Sequence, residues 1–386
     1  MILRLIAAAL LTLGVALAAP HPHAQLGLPA GQAQLYPVIS APSYTGPGDI
    51  ASTSFTAWWG LRAYDAAAAS ATVDAVDVNC NSTPGTTYTI HVTSAGNLNT
   101  ATILSDCTTS TFSGSMVGTT TLSTTGDSCA AIVGAQVIGA GITSPTTVVS
   151  KTSCSGGAGV YVLSQSFTIS AESMTALLPV LASKLYDQTG GNACTSASCN
   201  VVQATGSEQP GIYLNCLNGA TLPCLRLVGS STQFMQAASN FTPATGLVSM
   251  SVVGETSAAV ATPLMEENGA NNLIEVTGTA GTWRLTATAN FNFTASASTP
   301  HSVNGVVNTS GLTSVANVDG TETSTTTLTG TTTTGKPTVL IATGSSNTEI
   351  SEVGFADNVG WSSTTRNAVC SNQYAYWGTA TPSGSC

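Results

Sequence analysis

The sequence predicts an all-β sandwich of short antiparallel strands that carries a small inserted β-module. Three observations lead there. Short β-branched runs alternate with Gly, Asn, Ser and Pro along most of the chain, a pattern of brief strands and turns rather than βαβ units. Helical periodicity is confined to two short stretches. Charge is scarce: 7% of the 386 residues are Asp, Glu, Lys or Arg, against about 25% in an average soluble domain. Hydrophobic residues reach 42%, which argues against disorder driven by charge. Eight basic and eighteen acidic residues give a net charge of −10. So few cations cannot neutralise a row of phosphates, so no nucleic-acid partner is expected. The same shortage removes a polybasic membrane-surface patch.

Taken in order, residues 1–24 read as a signal peptide. Arg4 supplies the positive start and Leu5 to Leu17 the apolar run, with cleavage at Ala16-Leu17-Ala18 or after Ala24. That run is short for an anchor, and no later segment reaches the roughly 18 apolar residues of a membrane span. The expected setting is therefore secreted, extracellular or periplasmic, with no membrane span in the mature chain. A helix is expected over Phe55 to Ala69, where Trp58 and Leu61 share a face that Asp65 interrupts. Strands are expected at Tyr88–Val92, Val160–Leu163, Leu247–Val253, Leu273–Val276, Trp283–Thr288 and Thr338–Ala342.

Composition shifts near residues 78 and 176. The sandwich is accordingly assigned to 25–78 and 177–386, and 79–176 to an inserted β-rich module. The module's second half, from Ala131 to Ser166, resembles a small β-module of secreted and phage-associated proteins. A plain continuation of sandwich strands is the competing reading. Residues 321–337 are Thr-rich, read as exposed strands turning at Gly330 or as a flexible linker. Asp319-Gly320 suits a hairpin turn. The oxygen ligands of Asn317 to Glu322 leave Ca²⁺ as a weak possibility, without the spacing of an EF-hand. A last helix is expected from Ser363 to Trp377, capped by Ser362 or Ser363, with Val369, Cys370, Tyr374 and Trp377 on one side.

Ten cysteines in an exported chain read as disulfides. Spacing does not fix connectivity. Neighbour pairing gives Cys80–Cys107, Cys129–Cys154, Cys194–Cys199, Cys216–Cys224 and Cys370–Cys386. Zinc would need CxxC pairs or His partners, and Cys194 and Cys199 have no nearby His, so no metal or cofactor is assigned. Asn81, Asn240, Asn292 and Asn308 stand in glycosylation sequons.

Several stretches carry a resemblance. They are Ala57-Trp-Trp-Gly-Leu-Arg-Ala-Tyr-Asp65, Lys184-Leu-Tyr-Asp-Gln-Thr-Gly190, Val201-Val-Gln-Ala-Thr-Gly-Ser-Glu-Gln-Pro210, Cys224-Leu-Arg-Leu-Val-Gly229 and Asn367-Ala-Val-Cys-Ser-Asn-Gln-Tyr-Ala-Tyr-Trp-Gly378. Their order resembles concanavalin A-like, laminin-G-like jelly-roll sandwiches. It is also similar to the catalytic domain of family-54 α-L-arabinofuranosidases (arabinofuranosidase B), over about residues 45–78 and 177–378. The resemblance implies a retaining glycosidase with two carboxylates about 5–5.5 Å apart. Aligned on the family, however, the nucleophile falls on Ala289 and the acid/base on Ser346, and the adjacent Cys-Cys pair of the sugar pocket is missing. Glu349 and Glu352 follow the second place closely.

Other carboxylates could form a pair. Glu255, Glu266, Glu267 and Glu275 cluster around strand candidates. Glu266 and Glu267 would point to opposite faces of one strand, whereas Glu255 and Glu266 could meet across a hairpin. Asp187 suits a turn better than a catalytic role. A Ser-His-Asp triad would need His91 or His301, and neither has a Gly-x-Ser-x-Gly elbow. Five Trp could stack on sugars, though at least three are expected in the core. The first expectation is a secreted, non-catalytic glycan-binding or surface-interaction protein. Its partner would be a polysaccharide or cell-surface glycan. Candidate ligand-binding residues are Glu255, Glu266, Glu267, Asn271, Asn272 and Trp283. The alternatives are an arabinofuranosidase-type glycoside hydrolase and a structural envelope or phage-associated protein.

Overall fold

The computed structural model describes residues 44–386 apart from 51–52, 71–72, 81–84, 191–198, 218–220, 228–232, 241–245, 257–261, 268–272, 277–281, 287–289, 297–298, 309–312, 327, 329–336, 343–347, 383 and 385. It is an all-β sandwich, as the sequence pattern implies. Strand Thr348–Asp357 lies at its centre. Leu247–Thr256 pairs along one side of it, while Ala57–Gly60 and Leu222–Leu227 share the other. Outward from Leu247–Thr256 run His301–Asn308, Ser314–Val318 and Thr321–Thr325, all antiparallel. The other wing continues from Leu222–Leu227 through Gly211–Leu217 to Val180–Leu185. Beyond it come Val201–Val202, Gln233–Ala237, Pro337–Ala342, Thr262–Glu267, Leu273–Val276, Thr282–Thr286 and Asn290–Thr294.

This long path returns over its own start. Leu285 from the far wing sits on Gly305, where an added Cβ would come within 2.7 Å of the leucine side chain. Glycine is thus required there by close packing. Val248, Met250 and Val252 meet Val303, Val307, Val353 and Phe355 in the resulting core. The opposite face of the same strands is covered by helix Ser363–Trp377. Both faces of the central strands are therefore buried, and their residues still alternate: the apolar side chains face the core, while Ser251, Ser302 and Asn304 meet Gln373 of the helix.

The helix has the expected bounds. Ser362 accepts from Thr365 N, and Gly378 closes the helix at φ 62, the left-handed cap that favours glycine. Val369, Cys370 and Trp377 are buried as expected. Tyr374 is not, being 38% exposed; Gln373 takes the inward place instead. The helix expected over Phe55 to Ala69 is corrected: Ala57–Gly60 is a strand and only Ala66–Ser70 is helical. Trp58 and Trp59 point to opposite faces and both are buried, an arrangement that a helix face could not supply.

Residues 108–177 form a separate four-stranded sheet, in which Ala158–Leu177 pairs with Thr108–Thr125, Gln136–Gly139 and Val148–Ser155. Phe112, Met116, Leu122, Tyr161, Leu163 and Met174 give it a core of its own. Within the stretch 79–176, Thr87–His91 belongs to the large sheet. Asp127 organises one end of the smaller sheet by accepting from Ser110, Thr124, Tyr161 and Cys129 N at 2.7–3.0 Å. Cys80–Cys107, Cys129–Cys154, Cys216–Cys224 and Cys370–Cys386 are bridged. Cys199 is disulfide-bonded too, while Cys194 lies outside the described residues. Thr321–Thr325 is the exposed Thr strand that was expected; Gly330 lies outside the described residues. Among the described residues no helix is long and apolar enough to cross a membrane.

Candidate functional site

Two constellations gather chemistry-bearing side chains. The first is a row across three neighbouring strands, where Arg226 is in register with Glu349 and Glu349 with Glu255. Directly opposed residues share a face, with Cβ atoms about 4.5–5.5 Å apart. A bulge sets this row. The register passes from Val253↔Glu352 to Gly254↔Ile350, skipping Ser351, so Glu349 and Glu352 share the outer face although alternation would separate them.

Glu349 is 8% exposed, and its carboxylate lies 3.6 Å from Arg226 Nε. Burial pushes the Glu349 carboxyl up to about 7; Arg226 opposes the rise and the Glu255 charge adds to it. Burial likewise raises Glu255, against the pull of Arg226 and His301. The Arg226 guanidinium stands 5.5 Å from the Tyr213 ring centre. Cys216 and Cys224 sulfurs lie within 4.8 Å of the Glu349 carboxylate. Because these sulfurs form a disulfide, they are not thiolate ligands for a metal.

The second constellation lies where the far wing returns over strand His301–Asn308. His301 Nδ1 is 2.5 Å from Asp319 Oδ2, and His301 Nε2 is 3.1 Å from Ser296 Oγ and 2.9 Å from Ser296 O. Asp319 occupies the expected two-residue hairpin turn with Gly320, at φ 46 and 83, and its other oxygen accepts from Ser302 N at 2.9 Å. Strand pairing therefore fixes the carboxylate against the imidazole. Burial disfavours the charged ring, but the Asp319 bond and charge, the Ser296 carbonyl and Glu255 together raise the His301 pKa. A hollow of about 260 Å³ opens here, lined by Phe293, Thr294, Ser296, His301, Asp319 and Thr323 among others.

The proposed ligand residues divide as follows. Glu255 belongs to the first row. Glu266 and Glu267 lie on strand Thr262–Glu267, where Glu266 is in register with Leu273 and Thr338. Glu275 is in register with Arg284. Asn271, Asn272, Ala289 and Ser346 lie outside the described residues. Trp283 is fully buried, edge-on to His301 at 6.0 Å between ring centres. It backs the hollow rather than offering a face for stacking. All five Trp are buried. Asp187 accepts from Trp58 N and from Thr189 N and Oγ1, a turn-and-clip role. Gln188 beside it bonds Tyr64 N and the Gly60 and Arg62 carbonyls.

Sequence reasoning missed the Glu349–Glu255 pairing, which depends on strands about a hundred residues apart. It also missed Ser296–His301–Asp319. The pairing that brings them together belongs to the preceding hairpin, in which Val303 is in register with Val318 and His301 therefore lies beside Asp319.

No protein-family model and no curated protein matches the chain. Among solved structures it is similar to an arabinofuranosidase complexed with arabinofuranosyl-α-1,2-xylobiose. The TM-score is 0.50 at 12% identity, covering 85% of this chain and 64% of that one. A family-54 α-L-arabinofuranosidase soaked with a cyclic sulfate inhibitor gives 0.48 at 12% identity with the same coverage. The binding domain of botulinum neurotoxin DC in complex with rat synaptotagmin II gives 0.32 at 14% identity, covering 48% of this chain and 53% of that one. This chain thus spans less than two thirds of the arabinofuranosidases, and the likeness is one of fold.

Proposed function

We propose that the protein is an extracellular carbohydrate-binding sandwich whose sugar site is the hollow beside His301. The observation that carries this reading is the lining. Thr294, Ser296 and Thr323 offer hydroxyls, Phe293 an apolar ring, and His301–Asp319 a hydrogen-bonded pair. A few polar groups placed around an apolar wall suit a polyhydroxylated ligand, and the volume fits about one sugar ring. The test is a glycan array followed by calorimetry on the strongest ligand, with Thr323→Trp to fill the hollow. Binding should weaken by more than tenfold in that variant while melting temperature stays put. A blank array, or unchanged affinity in the filled variant, would overturn the reading.

A second reading, a glycoside hydrolase, is favoured by one observation: Glu255 and Glu349 are cross-strand neighbours with raised pKa values. A protonated and an ionised carboxyl at short range are what a retaining mechanism uses. Release of aryl product from an aryl α-L-arabinofuranoside, lost in both Glu255→Gln and Glu349→Gln, is its expected signature. No release above buffer would sink it.

A further inference from the structure

We propose that Ser296, His301 and Asp319 form a nucleophilic relay that cleaves a small acyl ester in the hollow, the substrate class being an O-acylated carbohydrate. The connectivity is the one such chemistry requires. Asp319 Oδ2 meets His301 Nδ1 at 2.5 Å, and His301 Nε2 meets Ser296 Oγ at 3.1 Å. Asp319 thus fixes the ring tautomer with the proton on Nδ1, leaving Nε2 for the serine. Burial differs along the chain of groups in the useful direction. His301 and Asp319 are 4% and 6% exposed, whereas Ser296 is exposed and lines the hollow. Asp319 is held from its second oxygen by Ser302 N, and Trp283 stands edge-on to the imidazole, so the base is fixed on two sides.

In the first step Ser296 Oγ bonds to the ester carbonyl carbon and its proton passes to His301 Nε2. The bond from that carbon to the alcohol oxygen breaks, and the alcohol leaves with the same proton. Water then repeats the sequence on the acyl-serine, releasing the carboxylic acid and restoring the hydroxyl. Nε2 also lies 2.9 Å from the Ser296 carbonyl. A protonated ring donates to that carbonyl, and only the neutral ring serves as base. Asp319 and Glu255 are the acids that hold the proton on the ring, so turnover rises toward alkaline pH.

The ester chemistry stands apart from the carbohydrate reading, on which only the alcohol half of the substrate rests. The experiment treats the full chain with a biotinylated fluorophosphonate and locates the adduct by peptide mass spectrometry, alongside hydrolysis of 4-nitrophenyl acetate. Labelling is expected on Ser296. Turnover should fall to the buffer rate in Ser296→Ala and by about 10³–10⁴-fold in Asp319→Asn. Ser296 is exposed, so its variant should keep the parent melting temperature. If Asp319→Asn does not fold, Ser296→Ala alone decides. No adduct on a folded chain, or hydrolysis unchanged in Ser296→Ala, would overturn the proposal. Glycan binding without labelling refutes only the relay. Labelling with a blank glycan array supports the relay and refutes the carbohydrate reading.

Discussion

Glu349 and Asp127 are both buried carboxyls, and their surroundings drive them in opposite directions. Four donors surround Asp127, and their hydrogen bonds hold its carboxyl below the usual range in spite of burial. Glu349 has only a distant guanidinium, and burial lifts it to about 7. Folding therefore binds protons at Glu349 between the unfolded value of about 4.3 and about 7. Stability from this group is full below the lower value and falls as pH rises through the window. The loss amounts to about 4 kcal/mol by pH 8, taking ~1.4 kcal/mol per pKa unit. Urea titrations from pH 4 to 8 should show Glu349→Gln losing less stability with rising pH than the parent. Parallel curves would contradict this account. Asp127 has the opposite sign: its contribution is present above about pH 4 and disappears as pH falls through its lowered folded value.

At the scale of elements, the C-terminal helix is fastened by a buried polar network. Glu352 accepts from Arg62 Nε at 2.5 Å and Nη2 at 3.1 Å, from Gln373 Nε2 at 2.7 Å and from Trp377 Nε1 at 2.6 Å. Arg62 and Glu352 are 0% and 1% exposed. Removing one partner of such a pair leaves an uncompensated buried charge, which costs about 3–5 kcal/mol. Glu352→Ala should lose that amount in chemical denaturation, whereas a Glu352→Leu, Arg62→Met double variant should recover most of it. A double variant no better than the single would show that other members of the network dominate. The helix was legible in sequence because Ser362, Gly378 and the apolar positions are local signals. Its attachment was not. Arg62 and Glu352 are 290 residues apart, and no local pattern foretells their meeting. The strand Ala57–Gly60 escaped for a related reason: its Trp pair is satisfied by two different layers that only the folded sheet supplies.

At the scale of the molecule, scarcity of charge predicted the class of fold but not the site. So few carboxylates made a catalytic pair look easy to find, yet Glu349 and Glu255 meet only through strand register and a bulge. Turn chemistry did foretell Asp319-Gly320, the hairpin that carries the acid to His301. The smaller sheet gives the clearest global consequence. Its core is separate from the main one, and Asp127 ties Ser110, Thr124 and Tyr161 across its strands. Cooperative units of this kind open independently when their contacts to the remainder are few. The links to the large sheet include Gln136 bonding Ile212 O and Leu214 N, and Asn215 bonding the Ile142 and Ser144 carbonyls. Asp127→Ala removes the shared acceptor of three buried hydroxyls, at about 1–3 kcal/mol for a buried group left unsatisfied. Hydrogen exchange should then quicken across 108–177 while peptides from His301–Asn308 and Thr348–Asp357 keep their protection. Equal acceleration in both sheets would mean that the smaller sheet and the sandwich unfold as one unit.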